Sequence, residues 1–214
     1  NAIIHVLRCF EDDNIVHVDG SVNPVRDKET IDFELQIKDL ETLEKKREKH
    51  MKIAKSGNKD AQKIVSSLEK YISHIESGKS ARSLNSTDAD LESVTDLYLL
   101  TSKPILYVCN VDENAMKTGN KHVDDVKEVV KDEDAEILLI ATAIESEISE
   151  LDDFEEQQMF LEEMGLKKPG VHHLIQSTYK LLNLQTYFTA GVKEVRAWTI
   201  TKGMKAPQAA GVIH

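Results

Sequence analysis

A short polar cluster, Asn110-x-Asp112-Glu113, follows directly on an apolar run, Pro104-Ile105-Leu106-Tyr107-Val108-Cys109. The run is apolar at every position rather than every second one, which suits a parallel strand covered on both faces. In open α/β sheets the ligand sits beyond the carboxyl ends of such strands. Asn offers a donor and an acceptor, and a carboxylate is an acceptor, so the cluster has what is needed to read the edge of a purine. A purely local reading also exists: Asn110 as an Asx turn, with Asp112 and Glu113 opening a helix.

Other polar residues could also do chemistry. His17 lies in the irregular stretch from Glu11 to Asp27, broken by Gly20 and Pro24. A loop histidine there can orient a water or take its proton, or have no role. His172-His173 sit at a helix start without the Cys/His partner set of a zinc site, and read as structural. Between Lys38 and Lys63 stand nine Lys/Arg (38, 45, 46, 47, 49, 52, 55, 59, 63) against five acids (39, 41, 44, 48, 60), a local balance of 9 − 5 = +4. Lys45, Lys46, Lys49 and Lys52 are the candidate contacts for RNA phosphates. The plain alternative is a solvated face with i,i+4 pairs such as Glu41–Lys45 and Glu48–Lys52.

The whole chain has the opposite sign. Formal net charge is −11, from 27 Lys+Arg against 38 Asp+Glu over 214 residues. That excludes a chain that coats nucleic acid along its length, and no specific DNA partner is expected. Hydrophobic residues at 40% and charged residues at 30% are ordinary for a globular protein. Cys9 and Cys109 are too few for a disulfide scaffold, so reduced thiols and a cytoplasmic location are expected. No segment approaches the roughly 18 apolar residues of a membrane span, so no membrane partner is expected. The chain opens at Asn1 straight into an apolar run, which reads as part of a longer protein.

These residues need elements to position them. Residues 2–10 read as a first buried strand. From about Lys28 the pattern turns helical, with Phe33, Ile37 and Leu40 as a stripe, an interruption at Arg47, then Met51 and Ala54. Ser56-Gly57-Asn58 is a turn, and Ala61, Ile64, Val65, Leu68, Ile72 and Ile75 form a second stripe ending at Gly78. The two make an antiparallel helical hairpin, expected to project as a coiled coil. Thr87 with Asp90 resembles a capping box for a short helix through Leu97. Val123, Val126, Val129 and Val130 mark a helix, and Glu136–Ile140 a third buried strand ending in Ala141-Thr142-Ala143. The alternation of strands and helices predicts a parallel α/β sheet. An acidic helix from Asp152 to Met164 and another from Pro169 to about Leu182 follow. From Leu184 the alternation predicts a β-hairpin, in a tail of 31 residues too short for an independent domain.

Asn110-Val111-Asp112-Glu113 resembles the Asn-Lys-x-Asp motif of translation-factor-type GTPases, with no Lys and with Glu for Asp. In that motif the Asp receives the N1–H and N2 amine of guanine. Adenine lacks that amine and presents an acceptor at N1, so the departure argues against guanine and is compatible with adenine. The wider sequence closely resembles the YchF / Obg-like ATPase family, of the Obg branch of P-loop GTPases. The resemblance is carried by the run from Ile4 to Val18, by Asp39–Glu44, by Asn110–Glu113 and by the long run Leu182–Ile200.

The resemblance implies an α/β fold: part of a Ras-like P-loop NTPase domain with an inserted helical hairpin, followed by the start of a β-grasp TGS domain. On that mapping residues 1–27 and 79–183 belong to the nucleotide domain, 28–78 to the coiled-coil insertion and 184–214 to TGS. The three strands would be the fourth, fifth and sixth of the sheet. The resemblance implies ATP hydrolysis with Mg²⁺ and association with the ribosome or its RNA. It places Asn110, Val111 and Glu113 around the adenine, a backbone N–H near Thr142 against the base, and His17 as the water-orienting group. Yet no G-x-x-x-x-G-K-[S/T] occurs in the chain. The phosphate cradle and metal ligands are therefore expected upstream, and the chain by itself is expected to turn over no ATP. The rival reading is a non-catalytic RNA- or ribosome-binding module with a vestigial nucleotide site.

Overall fold

The computed structural model of the chain describes residues 1–213. In order, the elements are β1 (Ile3–Arg8), α1 (Pro24–Ala54), α2 (Lys59–Glu76), α3 (Asp88–Val94), β2 (Ile105–Asn110), α4 (Lys121–Val130), β3 (Glu136–Ile140), α5 (Thr142–Glu150), α6 (Phe154–Glu163), α7 (Gly170–Leu181), β4 (Leu184–Ala190), β5 (Val195–Thr201) and α8 (Ala206–Ala210). Two compact units emerge: Asn1–Pro24 with the chain from Ile105 onward, and Val25–Pro104.

The first unit is built on β2. It runs parallel to β1, with Ile3 opposite Ile105, and parallel to β3, with Leu106 opposite Glu136. Its five residues Ile105–Cys109 are all buried. Alternate side chains point to opposite faces. Ile105, Tyr107 and Cys109 join Leu7 and Cys9 against Val123, Val126 and Val130 of α4. Leu106 and Val108 join Ile140 against Leu174 and Leu181 of α7. Tyr107 is fully buried, and its hydroxyl donates to Glu133 at 2.8 Å.

The expectation of three buried strands holds for β2 alone. Ile4 and Val6 of β1 are 42% and 59% exposed. The core on that face runs from β2 to β3 and α7, leaving the outer side of the edge strand β1 open. The helix α5 was not expected. Ile144 and Ile148, one turn apart, pack with Ala141 and with Leu161 of α6. Glu145 on α5 accepts N–H bonds from Gly170 (2.6 Å) and Val171 (3.0 Å), satisfying the open N-terminus of α7. Strands β4 and β5 form the expected antiparallel pair, from Leu184 opposite Thr201 to Ala190 opposite Val195.

In the second unit, α2 follows its expected stripe: Ala61, Leu68, Ile72 and Ile75 are buried, together with Tyr71. The stripe expected for α1 holds at Leu40, which packs against the core, and fails at its start. Phe33 and Ile37 are exposed, while Lys28, Gln36, Asp39 and Leu43 are buried and Arg47 is half-buried on the same side. Long polar side chains lay their stems along apolar surface, so α1 packs with little apolar content on its inner face. Three of its buried polar side chains find partners, while Arg47 Nε is buried without a hydrogen bond among the described residues. Lys28 pairs with Asp32 at 2.6 Å, and Gln36 donates to the Gly78 carbonyl at 3.2 Å. Asp39 accepts from Leu100 N, Thr101 N and Thr101 Oγ1, each at 2.7 Å.

The unit extends past residue 78. Ala81, Val94 and Leu99 complete the core begun by Leu43, Leu68, Tyr71, Ile72 and Ile75. The expected capping box is present, Thr87 and Asp90 bonding each other reciprocally. Asp90 does more than cap. Buried at 4% exposure, it accepts from Ser67 Oγ at 2.7 Å and from Lys70 Nζ at 2.9 and 3.0 Å, tying α3 to α2. These bonds, Ser67 first, then Lys70 and Thr87, hold its carboxyl well below the usual carboxylate range.

Asp90→Asn is therefore expected to destabilise the protein by about 2 kcal/mol at neutral pH. The loss stays short of that for a fully buried pair because Lys70 keeps access to water, its side chain being 54% exposed. An aspartate in the unfolded chain titrates near ~3.9. The Asp90 contribution is complete above that pH and is lost as pH falls toward the depressed folded value. Chemical denaturation of both proteins from pH 7 to pH 2 checks this: the stability gap should hold down to about pH 4 and narrow steadily below it.

Candidate nucleotide site

All three parallel strands end on one rim, with Arg8, Asn110 and Ile140 in register. The main chain stitches the rim together. Cys9 N donates to the Asn110 carbonyl at 2.7 Å, and Val111 N to the Ile140 carbonyl at 2.9 Å. Asn120 links β1 to α4: its amide donates to the Cys9 carbonyl at 2.7 Å, and its Oδ1 caps Val123 N at 3.1 Å.

Asn110 does not form an Asx turn. Its Oδ1 accepts from Thr142 N and Thr142 Oγ1, both at 3.1 Å. Thr142 is the first residue of α5, and Ala141 before it has no side chain able to cap. Asn110 thus supplies the missing cap from the neighbouring strand. Two expected site residues are brought together, with a change of role. The Thr142 N–H is spent on Asn110 rather than left for a base. The Asn110 Nδ2 makes no hydrogen bond among the described residues, so the amide presents donors at the rim.

Val111 is buried at 3% exposure and contributes shape only. Asp112 follows the local reading, accepting from Ala115 N at 3.0 Å to open a 3-10 turn over Glu113–Ala115. Glu113 begins that turn with an exposed carboxylate.

His17 lies on the loop that leaves the rim after β1. Its Nδ1 accepts from Asp19 N at 3.1 Å. The loop is held by Arg8, a residue that no motif singles out. Its guanidinium donates to the carbonyls of Phe10 (3.1 Å), Ile15 (2.9 Å) and Asp12 (3.3 Å) and stacks on the Phe10 ring at 4.7 Å. The signal for it is an arginine at a strand end, preceding an irregular loop with many carbonyls to satisfy.

The lysines of α1 divide. Lys46 is structural: its ammonium bonds the Ser93 carbonyl at 2.9 Å and the Asp96 carboxylate, drawing that carboxyl below its ordinary value. Lys45, Lys49 and Lys52 are exposed and take part in no ion pair among the described residues. The pairing expected between Glu41 and Lys45 is absent, because Glu41 bonds Lys38 at 2.9 Å. Lys45, Lys49 and His50 edge a shallow depression of about 390 Å³ beside Asp96 and Leu97.

Cys9 and Cys109 are fully buried thiols, not joined in a disulfide. They point to the same side of neighbouring strands. A hydrogen bond from Cys9 lowers the Cys109 thiol, against burial, which raises it. His172 lies near Lys168 and Gln176 on α7, without a metal-ligand set among the described residues.

A parallel three-stranded sheet whose polar groups gather on its carboxyl rim, with a separate antiparallel pair, defines a mixed α/β protein with an edge-of-sheet site. A family profile described as YchF-GTPase_C, a protein of unknown function (DUF933), matches residues 184–214. The Ribosome-binding ATPase YchF of Bacillus subtilis (strain 168) is 51% identical over 216 residues, covering 100% of this chain and 59% of the relative. Its namesake in Escherichia coli O157:H7 is 47% identical over 213 residues, covering 100% and 58%. The solved structure of the Schizosaccharomyces pombe YchF GTPase superposes with a TM-score of 0.86 at 35% identity, again covering 100% and 58%. The chain is similar over its whole length to these YchF proteins and spans a little under three fifths of their length.

Burial sets the chemistry of the cysteines. In the folded protein neither Cys9 nor Cys109 should react with a water-soluble disulfide reagent, and both should react once the chain is unfolded in concentrated guanidinium. Counting released thiolate before and after unfolding checks it; prompt labelling of either in the native state contradicts the packing described.

Proposed function

We propose that this chain holds the base-binding end of the nucleotide site of a ribosome-binding ATPase, and on α1 a face that meets RNA phosphates. In this reading the nucleotide domain is interrupted by the helical unit, and the stretch 184–214 opens a TGS domain. The similarity to the YchF relatives and their names support it. No helix among the described residues is long and apolar enough to cross a membrane.

The observation that carries the base-binding reading is the Asn110–Thr142 bond. It occupies the oxygen of the amide and turns its NH₂ group into the working edge, a donor matched to a purine ring nitrogen. Beside it, Glu113 is one methylene longer than the Asp that reads guanine. Its carboxylate suits the exocyclic amine of adenine, a donor, and not adenine N1, an acceptor. Arg8 holds the loop of His17, the residue of this chain assigned to orient a water. No G-x-x-x-x-G-K-[S/T] is present in this chain to cradle the triphosphate.

In the protein that carries this chain, ATP should bind more tightly than GTP under matched Mg²⁺. Asn110→Ala should weaken ATP by about tenfold, or ~1.4 kcal/mol. Calorimetric titration of both nucleotides decides it. A GTP preference sinks the adenine reading, and binding of neither nucleotide favours the vestigial site.

The polyanion face rests on Lys45, Lys49 and Lys52, which make no ion pairs among the described residues, and excludes Lys46. Replacing the three by Ala should weaken ribosome co-sedimentation and lower its log–log salt slope by about 0.7–0.9 for each phosphate no longer neutralised. Lys46→Ala should instead lower the melting temperature. Unchanged binding by the triple variant at every salt concentration marks the lysines as solvated surface.

A further inference from the structure

The acidic helix α6 has an apolar outer side that the nucleotide and polyanion readings do not use. Leu161 points into the core, yet Met159 is 70% exposed and Phe154 71%. Leu151, Met159 and Phe160 line a shallow groove of about 560 Å³, edged by Glu156, Glu162 and Glu163. A thioether and a phenyl ring together make an adaptable apolar floor, of the sort used to receive another protein's side chains.

The charge around the groove is of one sign. Acids stand at 150, 152, 153, 155, 156, 162 and 163, with no lysine or arginine among them, and all are exposed. None takes part in an ion pair among the described residues. Local stability accounts for part of this. Asp153 caps α6 by accepting from Glu155 N at 2.8 Å, and Glu155 and Glu156 meet the positive end of the helix. Glu162 and Glu163 are the remainder: they stand in the last turn, where the helix dipole favours cations. Unfavourable acids beside an exposed Met are local rules broken together, as at surfaces kept for a partner.

We propose that the α6 groove docks a lysine- or arginine-rich segment of another protein that inserts a bulky apolar side chain against Met159 and Phe160. The acid rim repels nucleic acid and anionic membrane and attracts a cationic chain. Its carboxylates do not converge on a single metal position among the described residues. The groove lies on a different element from both the nucleotide rim and the lysine face.

The test is fluorescence anisotropy with the whole protein and a labelled amphipathic peptide of Lys and Leu, about 14 residues long and so about four helical turns. The Lys/Leu peptide should bind, and an all-Lys peptide of equal charge should bind at least about tenfold more weakly, ~1.4 kcal/mol. Met159→Ser, at an exposed position that does not threaten folding, should weaken the Lys/Leu peptide by about tenfold. The pair Glu156→Gln with Glu163→Gln should weaken it and flatten its salt dependence. The paired control Asp124→Asn with Glu128→Gln on α4 should do neither. Equal binding of both peptides, or full binding by Met159→Ser, overturns the proposal. So does a concentration-dependent dimer that Met159→Ser abolishes in sedimentation, since the occupant is then a second copy of the chain.

Discussion

A strand apolar on both faces sets the terms for the first unit. β2 can be stable only between two other strands, which satisfy its backbone groups, and between two helical layers, which cover its side chains. Strands β1 and β3 meet the first demand, and α4 and α7 the second. Parallel pairing then forces the three carboxyl ends onto one rim. The polar residues that follow each strand are gathered there because the strands are parallel.

The second unit solves the opposite problem. Helix α1 brings few apolar residues to its inner side, so packing alone cannot fix it. On α1 the buried carboxylate of Asp39 takes over, binding the turn at Leu100 and Thr101. A second one, Asp90 of α3, ties α3 to α2 through Ser67 and Lys70. Each accepts several hydrogen bonds, which offsets the cost of burying charge.

At the rim, the side chains that look most available for a ligand are partly in structural use. The Asn110 oxygen caps α5, and Asp112 caps its own turn. What stays open is directional: the Asn110 amide donors and the Glu113 carboxylate. In the proposed site the Asn110 amide is preorganised, since the bonds its oxygen accepts from Thr142 orient it. Arg8 does the same for the loop of His17, with three carbonyls and a ring as its anchors.

The order of elements apart from α5 and α8, the parallel pairing, the stripe on α2, the Thr87–Asp90 capping box and the cluster after β2 were legible in the amino-acid sequence. They depend on periodicity and on contacts within a few residues, which the chain displays in one dimension. The run from Leu182 to Ile200 also pointed to the family. Three things were decided only in three dimensions. The buried side of α1 was misread because Asp39, Gln36 and Lys28 are buried by partners up to 62 positions away. Lys46 looked like its basic neighbours until Ser93 and Asp96 were brought to it. Asn110 could cap its own turn or reach elsewhere, and only the pairing of β2 with β3 put Thr142 within 3.1 Å. Burial of a polar side chain depends on which distant donors fold against it, and local patterning does not record them.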